Sequence, residues 1–391
     1  MKKILGMTKE KWEEKKGIYT AEEIVQQPEM WRQTYRKVKE IKKDLINFYK
    51  KLMNMERLNI IFAGAGTSGF IGDSLTPYLK KKFPQFETAS VHTTELVTHP
   101  EVYFNKKIPT LLISFARSGN SPESVAAIEL AEEMVDDLYQ LVITCNKEGK
   151  LAQKVSDSHN QLVLLPKKTN DRGFAMTSSY TSMLLAALLF FNIEELDKLN
   201  SIVELKAEAA EQIIDSFCEN EKLLEADFKK IIYLGDYGFF GVAKEASLKL
   251  LELTAGQIIT RYDTPLGFRH GPKSIIDKDS LILFFLSDNE YNLKYEYDLL
   301  NELNSSKLGY KTAVITIKNR KKFEEKCDFY LSSDSEISDK DELFNALEYI
   351  IYAQIISLYK SIQSGINPDN PSPDGSVNRV VQGVKIYPYK I

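Results

Sequence analysis

The chain has 391 residues, of which 43% are hydrophobic and 27% are charged, and its formal net charge is −4. These values are typical of a globular protein and exclude a disordered or collagen-like chain. The longest apolar run, residues 183–191, has about half the length of a membrane span, so we expect no membrane association. Because lysines alternate with acidic residues, we expect no nucleic-acid-binding face either.

The cysteines indicate a reducing environment. Cys145, Cys218 and Cys327 lie far apart and form no Cys-x-x-Cys pair. That spacing favours reduced, mostly buried thiols over a metal or redox site. The N-terminus has two lysines but lacks the apolar core of a signal peptide, so we expect a cytoplasmic protein. No motif requires a metal or another cofactor.

Residues 1–49 are predicted to form a helical extension. Thr20 and Glu23 have the spacing of a capping box, which predicts a helix start near Thr20. Further on, apolar residues recur every three or four positions from Trp31 to Leu52, which predicts one long helix with a single apolar face. We expect that face to pack against the first lobe or against a partner subunit.

Strands and helices alternate along most of the chain, and their pattern occurs twice. Gly64 in "IIFAGAG" matches Gly235 in "IIYLGDYG" at an offset of 171 residues. The strands in "TLLISFARS" and "QLVITCNK" match "SLILFFLSD" and "TAVITIKN" at offsets of 170 and 172 residues. We infer a tandem duplication of one α/β unit, each copy a doubly wound parallel sheet with flavodoxin- or Rossmann-like layers.

This organisation predicts the domain boundaries. Residues 50–195 form the first copy and residues 220–364 the second, and a helical linker at 196–219 joins them. The segment 365–391 is rich in Pro, Asn and Gly, which predicts a coil tail that covers the functional site.

Two loops of the first copy carry the chemistry of an anion site. "GAGTSG" at residues 64–69 follows a strand and opens a helix, and "ARSGNSPES" follows the third strand. Such loops favour a phosphomonoester pocket, because backbone N–H groups, the helix dipole and hydroxyls all stabilise a dianion. Two alternatives stay open: plain turns, and a dinucleotide site in which Glu95 binds the ribose.

The second copy has "GDYGFFG" in place of the first loop, so the hydroxyls are absent there. In the helix that follows, Glu245, Lys249 and Glu252 are spaced four and three residues apart on one face. An exposed, salt-bridged face is the simpler alternative. Because the other positions are largely apolar and the helix follows the first strand of its copy, we favour a polar pocket at the ligand crevice.

Four motifs carry a resemblance to a known family. "AGAGTS", "SFARSGNSPES", "AKEASLKLLELT" and "GFRHGPKS" occur in the order found in the sugar isomerase (SIS) domain family, and the similarity covers roughly residues 50–391. "EIVQQPEMWR" and "NPDNPSPDGSVNRVVQGV" are similar to one group in particular, the tagatose-6-phosphate ketose/aldose isomerases, also described as galactosamine-6-phosphate deaminases. The resemblance implies a homodimer with shared active sites.

The resemblance also implies a role for each candidate residue. Glu252 matches the base that moves a proton between C1 and C2, and Glu245 and Lys249 match its partners. His270 matches the histidine that opens the sugar ring, in the family within the neighbouring subunit's site. Arg379 stands where a related synthase has a Schiff-base lysine, a reaction closed to arginine at neutral pH. Phosphate contacts are implied for Thr67, Ser68, Arg117, Ser118 and Ser121, and further sugar contacts for Gly66, Asn120, Ser178, Ser179 and Arg379.

These roles predict deamination or isomerisation of a hexose phosphate. Proton transfer from C2 to C1 of galactosamine 6-phosphate gives an imine, which water converts to tagatose 6-phosphate and ammonia. Isomerisation of a sugar without the amino group uses the same step, so both activities remain open. The absence of the Schiff-base lysine favours deamination over amino-sugar synthesis. The alternative is a non-catalytic sugar-phosphate-binding regulator, which has no need for the charged stripe or His270.

Overall fold

The computed structural model describes residues 3–155, 159–306, 308–337, 339–381 and 383–389, and in these residues it contains two five-stranded parallel sheets. The first sheet consists of β1 (Asn59–Gly64), β2 (Glu87–His92), β3 (Thr110–Ala116), β4 (Leu138–Thr144) and β5 (Asn160–Leu164). The second consists of β6 (Lys230–Gly235), β7 (Ile259–Asp263), β8 (Ser280–Phe285), β9 (Lys311–Thr316) and β10 (Phe329–Ser332).

The two sheets have the same topology. Their strand orders are β2-β1-β3-β4-β5 and β7-β6-β8-β9-β10, which is the flavodoxin-like order. The registers also correspond, since Asn59 pairs with Thr110 in the first sheet and Lys230 pairs with Ser280 in the second. The predicted doubly wound parallel fold in two tandem copies is confirmed.

Helices follow the strands in both copies. The first copy contains α5 (Thr67–Lys82), α6 (Thr93–Thr98), α7 (Pro100–Tyr103), α8 (Pro122–Met134), α9 (Lys150–Gln153) and α10 (Ser178–Phe191). After α11 (Leu196–Ser216) and α12 (Glu221–Glu225), the second copy contains α13 (Phe239–Leu253), α14 (Pro265–Phe268), α15 (Asn292–Ser305), α16 (Lys321–Glu324) and α17 (Ala346–Gln363). Short 3₁₀ turns lie at Lys167–Thr169, Ile193–Glu195, Phe217–Glu219, Pro272–Ile275 and Asp339–Asn345.

The N-terminal extension differs from its prediction. It forms α1 (Lys9–Glu14), α2 (Ile18–Val25), α3 (Gln27–Glu40) and α4 (Lys42–Met53). The single long helix is wrong because the backbone leaves the helical region at Ile41, with φ −104° and ψ 14°. The capping box is also wrong, since Thr20 lies inside α2 and its hydroxyl donates to Asp369 at 2.8 Å.

The chain divides into two compact units, each with one sheet. The β1–β5 unit comprises Glu29–Asp171, Met176–Val203 and Asp374–Ile391. The β6–β10 unit comprises Met1–Pro28, Arg172–Ala175 and Glu204–Pro373. Each has its own cluster of buried apolar side chains. The boundaries expected from the sequence stay predictions.

Burial explains the apolar runs of the sequence. Every residue of β3 and β8 is buried, because helices cover both faces of a doubly wound sheet and these strands are central. The run at 183–191 belongs to α10, whose residues are all buried. None of the helices in the described residues has the length and apolar character needed to cross a membrane.

Candidate functional site

A pocket of about 120 Å³ lies in the β1–β5 unit, beside the loops that follow β1 and β3. It is lined by Ala65, Ser68, Phe115, Ala116, Arg117, Ser118, Ser121, Ser124, Met176, Arg379, Val380 and Val381. Four hydroxyl side chains and two guanidinium side chains are therefore in its wall. That set of donors suits a dianion such as a phosphate group.

Glycine permits the tight turn that leads into the first side of the pocket. A Cβ on Gly64 would lie 2.4 Å from the carbonyl carbon of Ser68, and Gly66 has a φ of 54°. These two positions allow α5 to start directly after β1. Thr67 and Ser68 consequently lie in the first turn of α5, where they are 4% and 7% exposed.

The loop after β3 is held in place by hydrogen bonds. The Ser118 carbonyl accepts from the Asn146 side chain at 2.9 Å, and the Ser118 hydroxyl accepts from the Asn120 N–H at 3.3 Å. The Asn120 side chain accepts from the Lys150 N–H at 3.1 Å. Ser121 donates to the Ser124 hydroxyl at 2.6 Å. These hydrogen bonds fix the positions of the hydroxyls in this loop.

The C-terminal tail completes the pocket wall. The Arg117 side chain, 7% exposed, donates to the Arg379 carbonyl oxygen at 2.7 Å. The Arg379 guanidinium donates to the Asp171 carbonyl and, at 3.4 Å, to the Asn170 side chain. One arginine thus fixes the tail backbone, and the other ties the tail to the loop that precedes α10.

A row of charges lies along α13, in the β6–β10 unit. Lys249 Nζ is 3.4 Å from Glu245 Oε1 and 2.5 Å from Glu252 Oε2. The side chains of Glu245 and Lys249 are 0% and 1% exposed, whereas that of Glu252 is 25% exposed. The alternative of an exposed, salt-bridged helix face does not agree with the burial of Glu245 and Lys249. Lys249 neutralises both carboxylates, and Glu252 is the member that solvent or a ligand reaches.

The loop that carries His270 follows α14 in the same unit. His270 is exposed. Its neighbours are fixed, because Arg269 Nε lies 2.9 Å from Glu302 Oε2 and Lys273 binds the same carboxylate. The hydrogen bond from Lys273 and the two positive charges hold the pKa of Glu302 below its usual range. His270 thus projects from a braced loop.

Comparison with known proteins identifies the family of this chain. A family model of the SIS domain matches residues 53–193. The D-galactosamine-6-phosphate deaminase AgaS of Shewanella sp. (strain ANA-3) is 41% identical over 379 residues, which cover 95% of this chain and 92% of the relative. The chain belongs to the SIS domain family. The predicted family membership is confirmed.

Solved structures of SIS-family relatives share the whole fold. A protein from Clostridium novyi NT has a TM-score of 0.96 and 44% identity, with 100% of both chains covered. The tagatose-6-phosphate ketose/aldose isomerase from Escherichia coli has a TM-score of 0.86 and 38% identity, with 96% of this chain and 98% of the other covered.

The phosphate candidates of this SIS chain converge. Ser68, Arg117, Ser118 and Ser121, predicted as phosphate contacts from two separate loops, line one pocket together with Arg379, which was predicted as a sugar contact. Thr67, Gly66 and Asn120 lie in the same loops but are absent from the pocket wall. Glu245, Lys249, Glu252 and His270 are in the other unit. Their individual roles stay predictions.

Ser178 and Ser179 occupy a different environment. Both are 0% exposed, at the start of α10. The Ser179 hydroxyl donates to Asp171 Oδ2 at 2.5 Å, and the N–H groups of Thr177 and Ser179 bind the same oxygen at 2.9 and 3.0 Å. Asp171 therefore caps α10 and uses the Ser179 hydroxyl in doing so. The predicted sugar contact of these serines stays a prediction.

Several lining residues were not anticipated. Ser124 follows Ser121 by one helical turn, a spacing that could have been read from the predicted start of α8. Met176, Val380 and Val381 have no chemical signature in the sequence, because their place in the wall depends on the tertiary path of the chain.

Other side chains in the described residues offer little support for a dinucleotide site, a thiol nucleophile or a metal site. Glu95 lies on α6 after β2 has ended, and its carboxylate accepts from the Tyr103 hydroxyl. Burial raises the pKa of Cys145 and of Cys327 to about 12, which keeps both thiols protonated. No group of three or more His, Cys, Asp or Glu side chains in the described residues is arranged to hold a metal.

Proposed function

We propose that this protein deaminates a hexosamine 6-phosphate, converting galactosamine 6-phosphate and water to tagatose 6-phosphate and ammonia. The observation that carries the proposal is the row on α13, which presents one accessible carboxylate, Glu252, beside a buried lysine. The relatives named as D-galactosamine-6-phosphate deaminases, at 41% identity over nearly the whole chain, support the choice of substrate.

The β1–β5 unit would bind the phosphate group. The Ser68, Ser118 and Ser121 hydroxyls, the Arg117 and Arg379 side chains and the first turns of α5 and α8 supply donors and positive potential. A hydrogen bond to a charged group is worth about 1.5–3 kcal/mol, so several together can hold a small substrate. This binding energy positions the reacting carbons, which is itself a large part of catalysis.

The β6–β10 unit would transfer the proton. His270 would assist ring opening, which exposes the C1 aldehyde next to C2 with its amino group. Glu252 would then remove the C2 proton, and the electron pair of the C–H bond would form the C1–C2 double bond as the C1 oxygen becomes an enolate. Lys249, whose Nζ lies 2.5 Å from Glu252 Oε2, would hold this carboxylate in position to act as the base.

Ammonia leaves after the proton returns to the sugar. Protonation at C1 moves the double bond to C2 and nitrogen, and a proton passes from the nitrogen to the C1 oxygen, which gives the C2 imine and a C1 hydroxyl. Water adds to C2, the nitrogen takes up the proton, and the C–N bond breaks to yield the ketone of tagatose 6-phosphate and ammonia. No oxidant or reductant enters this sequence, since one water balances the release of one ammonia.

Isomerisation of a hexose phosphate that has no amino group on C2 is the second candidate. The E. coli structure at 38% identity carries the name tagatose-6-phosphate ketose/aldose isomerase. The same base and the same phosphate pocket would serve, because only the group on C2 differs.

We further propose a cytoplasmic homodimer in which His270 acts in the partner's active site. The exposure of His270 on a braced loop and the three free thiols are consistent with this arrangement. Mixing His270→Ala and Glu252→Gln subunits tests it. If His270 acts in the partner's site, hybrid dimers contain one intact site, and about a quarter of the sites in the mixture become active. Failure of the mixture to regain activity would contradict the shared site.

The function is tested by incubating the purified protein separately with galactosamine 6-phosphate and galactose 6-phosphate, following ammonia and ketose phosphate. We expect ammonia and ketose phosphate in equal amounts from the amino sugar. Galactosamine without phosphate is the control, and it should react much more slowly. Ketose phosphate from galactose 6-phosphate alone would favour the isomerase. Binding of the amino sugar phosphate without either product would indicate a regulator and overturn both enzymatic functions.

A further inference from the structure

The second copy contains a counterpart of the phosphate loop. Thr110 of β3 pairs with the first residue of β1, and Ser280 of β8 pairs with the first residue of β6. Residues of β3 and of the segment after it therefore correspond to residues of β8 and of the segment after it at an offset of 170. Ser287 and Asp288, directly after β8, therefore stand where Arg117 and Ser118 stand after β3. Both loops lead into a long helix, α8 in one copy and α15 in the other.

Carboxylates of the chain itself bind this second loop. The Ser287 N–H donates to both oxygens of Glu296, at 3.2 and 3.3 Å. The Asp288 N–H and the Ser287 hydroxyl donate to Glu342 Oε1 at 2.5 and 2.7 Å. These donors are the kind that a phosphate oxygen would accept from in a strand-to-helix loop. Here two side chains accept in its place.

The surroundings leave no room for an external anion. Glu296, Ser287 and Asp288 are at most 2% exposed, and Glu342 is 8% exposed. Where α15 has Glu296, α8 has Ala126 at the corresponding position, and its methyl group cannot reach back to a loop. The loop after β8 donates its hydrogen bonds within the chain partly because α15 has Glu296, whereas α8 has no such side chain at the corresponding position to occupy the loop after β3.

The charges of the filled loop are balanced internally. Asp288, at the position of Ser118, lies 3.3 Å from the Arg320 guanidinium and accepts from the Asn345 side chain at 2.9 Å. Burial raises the pKa of Glu296 to about 8, with the charges of Asp236 and Glu342 adding to the rise and Arg320 opposing it. At neutral pH Glu296 is thus mostly protonated, which lowers the charge crowded around Glu342.

We infer that Glu342 and Glu296 close a second, latent anion site at the loop after β8, so that the wild-type chain binds no phosphomonoester at this loop. Internal carboxylates replace the ligand and its hydrogen bonds. The phosphate role of the first copy is the one proposed above, and the latent site does not depend on it. The ligand class that the opened site would take is a small oxyanion, with inorganic phosphate as the simplest member.

Equilibrium dialysis with labelled inorganic phosphate tests the inference on the full chain. Glu342→Ala removes the acceptor of the Asp288 N–H and the Ser287 hydroxyl, so we expect one more bound phosphate per chain than in the wild type. Phosphate should also raise the melting temperature of this variant more than that of the wild type, because a ligand of the folded state stabilises it. Glu342→Gln keeps an acceptor oxygen and should bind no extra phosphate.

Two further variants make the outcome decisive. Glu325→Ala, with a 62% exposed side chain that pairs with Lys321, is the control and should leave the phosphate count unchanged. Glu296→Ala opens the loop from its other side and serves if Glu342→Ala fails to fold. A folded Glu342→Ala or Glu296→Ala chain without the additional phosphate would overturn the inference. A wild type that binds none, with one phosphate in Glu342→Ala, would support it while overturning the phosphate role of the first copy.

Discussion

The two copies have one topology and opposite loop chemistry. After β3, the first copy presents Ser118 and Ser121 to an open pocket. After β8, the second copy buries Asp288 among carboxylates and Arg320. The helices after the first strands differ as well, since α13 carries Glu245, Lys249 and Glu252 where α5 has Ser74, Tyr78 and Lys81 at an offset of 171.

This difference shows how a duplicated sheet can divide two tasks. A phosphate pocket needs open N–H groups and hydroxyls, and proton transfer needs a carboxylate with a buried counter-charge. The two copies share the order of their strands, and their loops and helices at the carboxyl ends of those strands carry different side chains. Four substitutions test the comparison, from the largest expected effect to the smallest.

Removing the positive charge of Lys249 should lower the stability of the folded chain more than any of the other three substitutions changes what it affects. Lys249→Met leaves Glu245 and Glu252 close together without the cation between them, and Glu245 is 0% exposed. Breaking a buried ion pair in this way costs about 3–5 kcal/mol of unfolding free energy. Chemical denaturation measures it. Lys321→Met, whose side chain is 83% exposed and 3.9 Å from Glu325, is the matched control and should cost less than about 0.5 kcal/mol.

Glu296→Gln should change how stability depends on pH. The folded-state pKa of about 8 lies above the ordinary value of 4.5, so the folded chain binds more protons than the unfolded chain between these values. Wild-type stability therefore falls as pH rises through this window, by on the order of a few kcal/mol. Glutamine cannot ionise, so the decline should become smaller. An unchanged slope in denaturation curves from about pH 5 to about pH 9 would contradict the assignment.

Ser118→Ala should weaken substrate binding. The hydroxyl lines the pocket that we propose binds the phosphate, and losing one hydrogen bond to a dianion costs about 1.5–3 kcal/mol. We expect KM for galactosamine 6-phosphate to rise by about tenfold or more while kcat changes little. Ser305→Ala, an exposed serine on α15, is the control and should leave both constants unchanged. A fall in kcat with an unchanged KM would place Ser118 in the chemical step instead.

Arg379→Lys should have the smallest effect. Lysine keeps the positive charge but cannot reproduce the paired donors that Arg379 directs to Asp171 and Asn170. We expect a rise in KM of a few-fold, about 1 kcal/mol. The steady-state kinetics of this variant against the wild type check it, and an unchanged KM would show that the tail contact does not affect binding.

The sequence predicted the parts of this structure that depend on local pattern. The strand repeats, the hydroxyl loops and the spacing of Glu245, Lys249 and Glu252 are all visible within short segments. The break at Ile41 was missed because apolar residues on both sides keep helical spacing. The bond between Glu342 and the loop after β8 was missed because it depends on tertiary contact between distant segments. The cap that Asp171 forms on α10 was missed because Asp171 lies six residues before Thr177, outside the usual capping spacing.

The division of tasks is tested most directly by Glu252→Gln, assayed for ammonia release from galactosamine 6-phosphate and for substrate binding. Glutamine keeps the shape and removes the base, so kcat should fall by about 10²–10⁴-fold. Binding of the substrate, measured by calorimetry, should stay within about threefold of the wild type, because we propose that the other copy holds the phosphate. Full activity in the variant, or a loss of binding as large as the loss of kcat, would contradict this account.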